Sequence, residues 1–413
     1  MSDPLRRAND DPAEEAARLL TRIGVFLLFV VSMLAPILAG QTIYIIFPVG
    51  AALLLAGAAI SPVTREKTRP LRNLLVSSPV LAALFLIGLA ALSLTWTPFP
   101  NGPPERFLKN SGTLALVAIA AGFLPRRTRV CDLNLLPIGV AAAAVLLAVA
   151  AMINLFTNKS LTVEEIIDGN ALARSGVGLA LILWPAAGAL ALRGRWYLAG
   201  ALTLVSMAAS ILSGAPNVAP ALLAGAATFA ISFGRTRRAA EWLGSSAAVV
   251  IVLAPIVALL VHFALGARTP EFARSLDVWG SIVANGGVRT LIGHGFGAAL
   301  YGLFGGFLDP LTPRSLVFQI WFDLGALGAG AFAAMANQAF IRVGELRPAL
   351  APFLLAGLVS GLVVCLLGPA AEQLWAFTLA GLDAIAYVLV IRGQFRKKRP
   401  HLPSSWGMDE ENG

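Results

Sequence analysis

Apolar residues along this chain fall in unbroken blocks of about 17 to 23, set apart by short polar or basic stretches. Blocks of that length suit an α-helix crossing roughly 30 Å of hydrocarbon. Leu, Ala, Val and Gly run through them continuously, without the two-residue alternation of barrel strands, so the pattern predicts membrane helices. Twelve spans are predicted, at 23–39, 42–60, 74–95, 106–124, 134–156, 175–192, 196–212, 216–233, 246–265, 316–336, 348–367 and 372–391. The fourth is short in apolar residues (111–124), and its helix is expected to draw on the preceding Glu105-Arg106 segment. Only Ser213-Gly214-Ala215 separates the seventh from the eighth. The predicted fold class is an all-α polytopic membrane protein. One transmembrane domain (23–395) lies between an N-terminal tail (1–22) and a C-terminal tail (396–413) that is expected to be disordered.

Composition agrees. Of 413 residues, 57% are hydrophobic and 13% charged, against roughly 25% charged in soluble domains. A mean hydropathy of +0.78 leaves no room for a large soluble domain. The net charge of +9 raises the question of nucleic acid, but its placement answers otherwise. Of the 31 lysines and arginines, 23 fall in the two tails and in alternate loops, and 8 fall in the remaining loops. Basic residues gather on the cytoplasmic side of membrane proteins. Both termini are therefore expected in the cytoplasm, with the positive charge facing anionic headgroups of the membrane lipids and no nucleic-acid partner. No small-residue cleavage site follows the first apolar run, so the first span is expected to stay as an uncleaved anchor. Cys131 and Cys365 lie far apart and suggest neither a disulfide framework nor a metal cluster.

Two segments on the translocated side stand out by length. Residues 157–174 carry Glu164, Glu165 and Asp168, and residues 266–315 form the longest extramembrane stretch, a large periplasmic loop if the membrane is a bacterial inner one. A loop that long is usually functional. It contains Arg274-Ser-Leu-Asp277-Val-Trp279, which suits a short helix, and then the glycine-rich Gly293-His294-Gly-Phe-Gly297. Charges on this side are few. Arg174 opens span six, while Arg268, Arg274, Arg289 and Arg314 lie in or at the end of the long loop. Guanidinium groups suit a diphosphate through paired, charge-assisted hydrogen bonds, and equally suit lipid headgroups. His294, flanked by glycines that permit close backbone approach, is a candidate general base or a turn residue. His262, at the end of span nine, reads as a membrane-interface residue, and His401 lies in the C-terminal tail. Gln319 and Asp323 share one face of span ten, and Asp383 lies in span twelve. Carboxylates at such depth are costly and must face protein or water, so structural pairing is one reading for both. No phosphate-binding glycine loop, zinc-binding helix motif or serine nucleophile elbow is present.

Several segments together resemble the O-antigen ligase-like family. Leu172-Ala-Arg174-Ser-Gly followed by Leu181-Ile-Leu-Trp184-Pro185 is similar to that family's arginine-then-Trp-Pro span. Leu212-Ser-Gly-Ala-Pro216 is similar to its Ser-Arg helix start, and Arg274 to Trp279 with Ile292-Gly-His-Gly-Phe-Gly-Ala298 to its large loop. Phe318-Gln-Ile-Trp-Phe-Asp-Leu-Gly325-Ala-Leu-Gly328 resembles the span following the family's His-Pro-His-Asn motif and is the most specific stretch. The resemblance covers roughly residues 100–390.

The resemblance implies a metal-independent, inverting glycosyltransferase of the membrane-embedded GT-C-like type, without cofactor. Its donor would be an undecaprenyl-diphosphate-linked glycan and its acceptor lipid A–core, or another lipid-linked glycan in a polymerase. Arginines of the Arg174, Arg274 and Arg314 kind would hold the diphosphate, with His294 or Asp277 as base. At the His-Pro-His-Asn position this chain reads Thr312-Pro313-Arg314-Ser315, so Arg314 stands where the catalytic histidine is expected. Pro216 stands for the helix-start arginine, and Arg274 is one place out of register with Trp279. Three readings stay open at this point: a divergent transferase, a non-catalytic relative that binds or hands on a lipid-linked glycan, and a transporter.

Overall fold

The computed structural model describes residues 12–39, 42–60, 78–124, 129–157, 171–368 and 374–393. Residues Glu164, Glu165 and Asp168, the basic stretch 65–72 and the tail from 396 lie outside these. The described chain is all helix and connecting loop. We number the helices α1 (Pro12–Leu38), α2 (Ile43–Ile60), α3 (Ser78–Ser93), α4 (Pro103–Phe123), α5 (Val130–Thr157), α6 (Ala171–Ala191), α7 (Trp196–Leu212), α8 (Val218–Ser232), α9 (Thr236–Leu265), α10 (Arg274–Gly286), α11 (Arg289–Ile292), α12 (Ala298–Phe304), α13 (Leu316–Gly344), α14 (Ala351–Leu367) and α15 (Leu374–Ile391).

Six of these (α1, α2, α5, α6, α9 and α13) are long and apolar enough to cross a membrane, and five more are shorter apolar helices. Among the described residues each predicted span overlaps one helix, with α4 in neither of those two groups. The departures are at the ends. α1 begins at Pro12 rather than near 23, because the polar turn ahead of the apolar run is itself helical, closed by an ion pair from Arg18 to Glu14 one turn away. α9 and α13 likewise run about ten and eight residues beyond the apolar blocks that mark them. The 266–315 segment is built rather than open loop, since α10, α11 and α12 occupy nearly half of it.

Small residues let the backbones approach, as membrane helices require when apolar burial alone gives no preference. Gly24 of α1 packs on Gly50 and Leu54 of α2, and Gly139 of α5 lies directly against the Phe29 carbonyl of α1. That carbonyl belongs to a π-helical turn, Leu27–Val31, inside α1. α6 is the central helix, with every residue from Gly176 to Ala191 buried. The Trp184 indole N–H donates to the Ser360 hydroxyl (2.9 Å), which donates to the Ala221 carbonyl (2.9 Å), tying α6, α14 and α8 together. A second, smaller core joins α9, α10, α12 and α13 around Ile251, Trp279 and Phe318. There Trp321 of α13 donates its indole N–H to the Ile251 carbonyl of α9 (2.8 Å).

Candidate functional site

Two polar regions sit within this apolar frame. The first is where the Gly293–Gly297 loop meets α13. α13 is interrupted at Gly325, whose φ of 66° and ψ of −160° are open to glycine alone. The interruption frees the carbonyls of Phe322 and Asp323 from their helical partners. The loop supplies substitutes: the His294 N–H donates to Phe322 O (2.8 Å) and the Gly295 N–H to Asp323 O (2.9 Å). Gly293, at φ 84°, packs so closely on the Asp323 carbonyl that a side chain there would collide with it. The Asp323 carboxylate accepts the Gly297 N–H (2.8 Å) on one oxygen and the Ala299 N–H (2.8 Å) on the other. The buried Asp323 therefore holds the loop through both oxygens. On the far side of the loop, the Phe296 N–H donates to the Ser93 hydroxyl (3.0 Å) at the end of α3, and the Phe296 ring meets Phe107 of α4 edge-on.

His294 is half-buried in this junction, its ring stacked on Phe322 with centroids 4.1 Å apart. Its Nδ1 lies 3.1 Å from the Phe322 carbonyl. A carbonyl only accepts, so Nδ1 carries the proton and Nε2 keeps the lone pair of the neutral ring. Burial pulls the imidazole below the ordinary histidine range and the nearby Arg289 charge adds to this, while the Phe322 hydrogen bond opposes both. The ring is thus poised as a neutral acceptor.

Asp277, the other candidate base, is committed elsewhere. Its carboxylate accepts from Nδ1 of His262 at 2.8 Å, joining α10 to the end of α9, where Gly280 packs against Ala258 and His262. His262 reads from the sequence as an interface residue. Its pairing with Asp277, fifteen positions on, was hidden because the turn between the two helices decides it.

The second polar region is a small cleft at the ends of α1, α2, α6 and α15. Arg174 and Ser175 enter it from α6, Ser32 from α1, and Met33, Pro36, Ile43 and Leu379 supply apolar wall. The Arg174 Nε and the hydroxyls of Ser32 and Ser175 are buried there without a hydrogen-bond partner among the described residues. Ser32 and Ser175 are residues that motif reasoning passed over. Ser175 adjoins Arg174 in sequence, while nothing local distinguishes Ser32.

The remaining predicted residues do not join this cleft. Arg274 is exposed and makes a 3.9 Å ion pair with Glu271, one turn away. Arg314 is exposed, and the residue after it, Ser315, caps α13 by accepting the Phe318 N–H (3.3 Å). Gln319 is buried one turn before Asp323. Asp383, on the face of α15 that carries Leu379, has one oxygen buried without a partner among the described residues. No group of histidine, cysteine and carboxylate side chains among the described residues could hold a metal ion.

Compared with known protein families, characterised proteins and solved structures, the chain matches none. Its helices define the class: a multi-pass helical membrane protein.

Proposed function

We propose that the protein is an O-antigen ligase-like glycosyltransferase of the bacterial inner membrane, crossing it twelve times with both termini in the cytoplasm. It acts on an undecaprenyl-diphosphate-linked glycan and passes the glycan to lipid A–core or to another lipid-linked glycan. The observation that carries this reading is Arg174: a guanidinium at the start of the most buried helix, with no ion-pair partner among the described residues, lining a cleft whose other wall is apolar. A cation in that setting suits an anion attached to a hydrocarbon chain. The uneven distribution of arginine and lysine supports the orientation.

In the transfer step the acceptor hydroxyl attacks the anomeric carbon from the face opposite the diphosphate. A new C–O bond forms as the anomeric C–O bond to the diphosphate breaks. The lipid diphosphate leaves with the electron pair, steadied by Arg174, and the hydroxyl proton passes to Nε2 of His294. Helix α4 packs on the Gly293–Gly297 loop through Phe107, edge-on to Phe296, and on α15 through Val117, against Gly381.

A second reading, binding and hand-on of the lipid-linked glycan without turnover, is favoured by one observation: Arg274 and Arg314 are exposed and stand apart from the Arg174 cleft. The test is complementation of a deletion strain, scored by surface glycan. The transferase reading expects glycan lost on deletion and not restored by Arg174→Ala or His294→Ala. Restoration by His294→Ala alone selects the binding reading. Restoration by Arg174→Ala overturns both. Flux of a glycan lipid in proteoliposomes with no glycosyl product would point to a transporter instead.

A further inference from the structure

We propose that Ser32 and Ser175 complete the Arg174 cleft as a three-point site for the phosphate end of a lipid, with the hydrocarbon chain lying along Met33, Pro36, Ile43 and Leu379. The inference rests on the reading of Arg174 as the anion-binding residue, and adds the two hydroxyls and the origin of their placement.

Ser32 is the decisive residue. It is 1% exposed, lines the cleft, and its hydroxyl has no partner among the described residues. Helical serines and threonines commonly donate to the carbonyl one turn back. In this chain Thr21 does so to Ala17 (2.8 Å), Ser111 to Phe107 (2.6 Å) and Thr203 to Ala199 (2.8 Å). Ser32 and Ser175 do not. A buried hydroxyl left unpaired costs about 1–3 kcal/mol, so two beside an arginine Nε with no partner among the described residues mark a place that a ligand completes.

The backbone accounts for the aim of Ser32. The π-helical turn Leu27–Val31 immediately precedes it, and the Ser32 N–H reaches back five residues to the Leu27 carbonyl. One extra residue in the turn rotates all that follows around the helix axis, and such turns recur at functional sites. Pro36, four residues on, has no N–H to give the Ser32 carbonyl. The turn is fixed from behind, where Gly139 of α5 seats against the Phe29 carbonyl.

The chemistry of the three groups selects the ligand. All three can donate, and no carboxylate among the described residues lines the cleft. Three donors lining one cleft suit an anion with several acceptor oxygens. The apolar wall selects a phosphate that carries a hydrocarbon chain over a free one.

The test uses the full-length protein in detergent, with farnesyl diphosphate and inorganic diphosphate as probes in calorimetric titrations. Ser32→Ala and Ser175→Ala should each raise the Kd for farnesyl diphosphate by about tenfold, and Arg174→Ala by more than about tenfold. Ser32→Thr should restore binding, which separates a lost hydroxyl from a damaged helix. Inorganic diphosphate should bind about tenfold more weakly or worse. If both serine variants bind like wild type while Arg174→Ala does not, the three-point site is overturned and the Arg174 reading stands. If Arg174→Ala binds like wild type, or wild type binds no farnesyl diphosphate, both fall. Equal affinity for the two probes overturns the lipid assignment.

Discussion

The Asp323 junction and the Arg174 cleft are opposites. At the junction each oxygen of the Asp323 carboxylate accepts a backbone N–H, and the carbonyls freed by the break at Gly325 are taken up by the inserted loop. In the cleft, three buried polar atoms have no hydrogen-bond partner among the described residues. Inside an apolar bundle an unsatisfied polar group is expensive, so its persistence needs a reason. The contrast teaches that a carboxylate in a membrane helix is not by itself a functional group. Asp323 is as rare in its setting as Arg174, yet it functions as a clamp, and what separates the two is whether partners are supplied by the protein.

The largest effect that could break this comparison is at the clamp. Asp323→Ala should cost about 3 kcal/mol by stranding the Gly297 and Ala299 N–H groups, read as a lowered thermal unfolding midpoint in detergent. An unchanged midpoint would mean that the junction does not hold the loop. Gly325→Ala comes next. Its left-handed φ and the closeness of the Leu291 carbonyl predict a loss of at least about 2 kcal/mol in the same assay.

The cleft should respond with the opposite sign. Ser32→Ala removes a buried hydroxyl that has no partner among the described residues, so the ligand-free protein should be unchanged or more stable by up to about 1 kcal/mol. A marked loss would place Ser32 among the structural residues and erase the contrast. Arg274→Ala, which breaks only an exposed pair, should shift stability by less than about 0.5 kcal/mol.

The smallest effect is a pH dependence at His294. Burial holds its imidazole below the ordinary value of 6.5, so the folded protein favours the neutral ring. That contribution is complete above the ordinary value and is lost as pH falls through the lowered one. The unfolding midpoint should therefore drop as pH falls from above the ordinary histidine value through the lowered one, and His294→Phe should remove this part of the drop. An identical pH profile in the variant would show that the ring is not sequestered.

Much of the fold was legible because membrane helices announce themselves locally. A run such as 196–212 is apolar over the length of a helix, and no distant residue is needed to interpret it. Helix ends were less legible: the polar first turns of α1 are helical through an Arg18–Glu14 pair that hydropathy does not register. The candidate residues divided along the same line. Arg174 stood out as a lone charge on a long apolar background. His262 and Ser32 did not, since the first acquires its partner across a turn and the second lies in a cleft that four helices form together.

The sequence by itself determined that the chain is built of apolar helices, where they lie, and which charges are rare enough to matter, because burial in lipid is governed by composition over a short window. Only the tertiary structure decided which of those rare groups are satisfied. Asp277 is taken by His262, Asp323 by the Gly293–Gly297 loop, and Arg314 is left in the open, while Arg174 shares a cleft with two idle hydroxyls. Hydrogen-bond satisfaction depends on distances between segments far apart in the chain, and no local pattern encodes them.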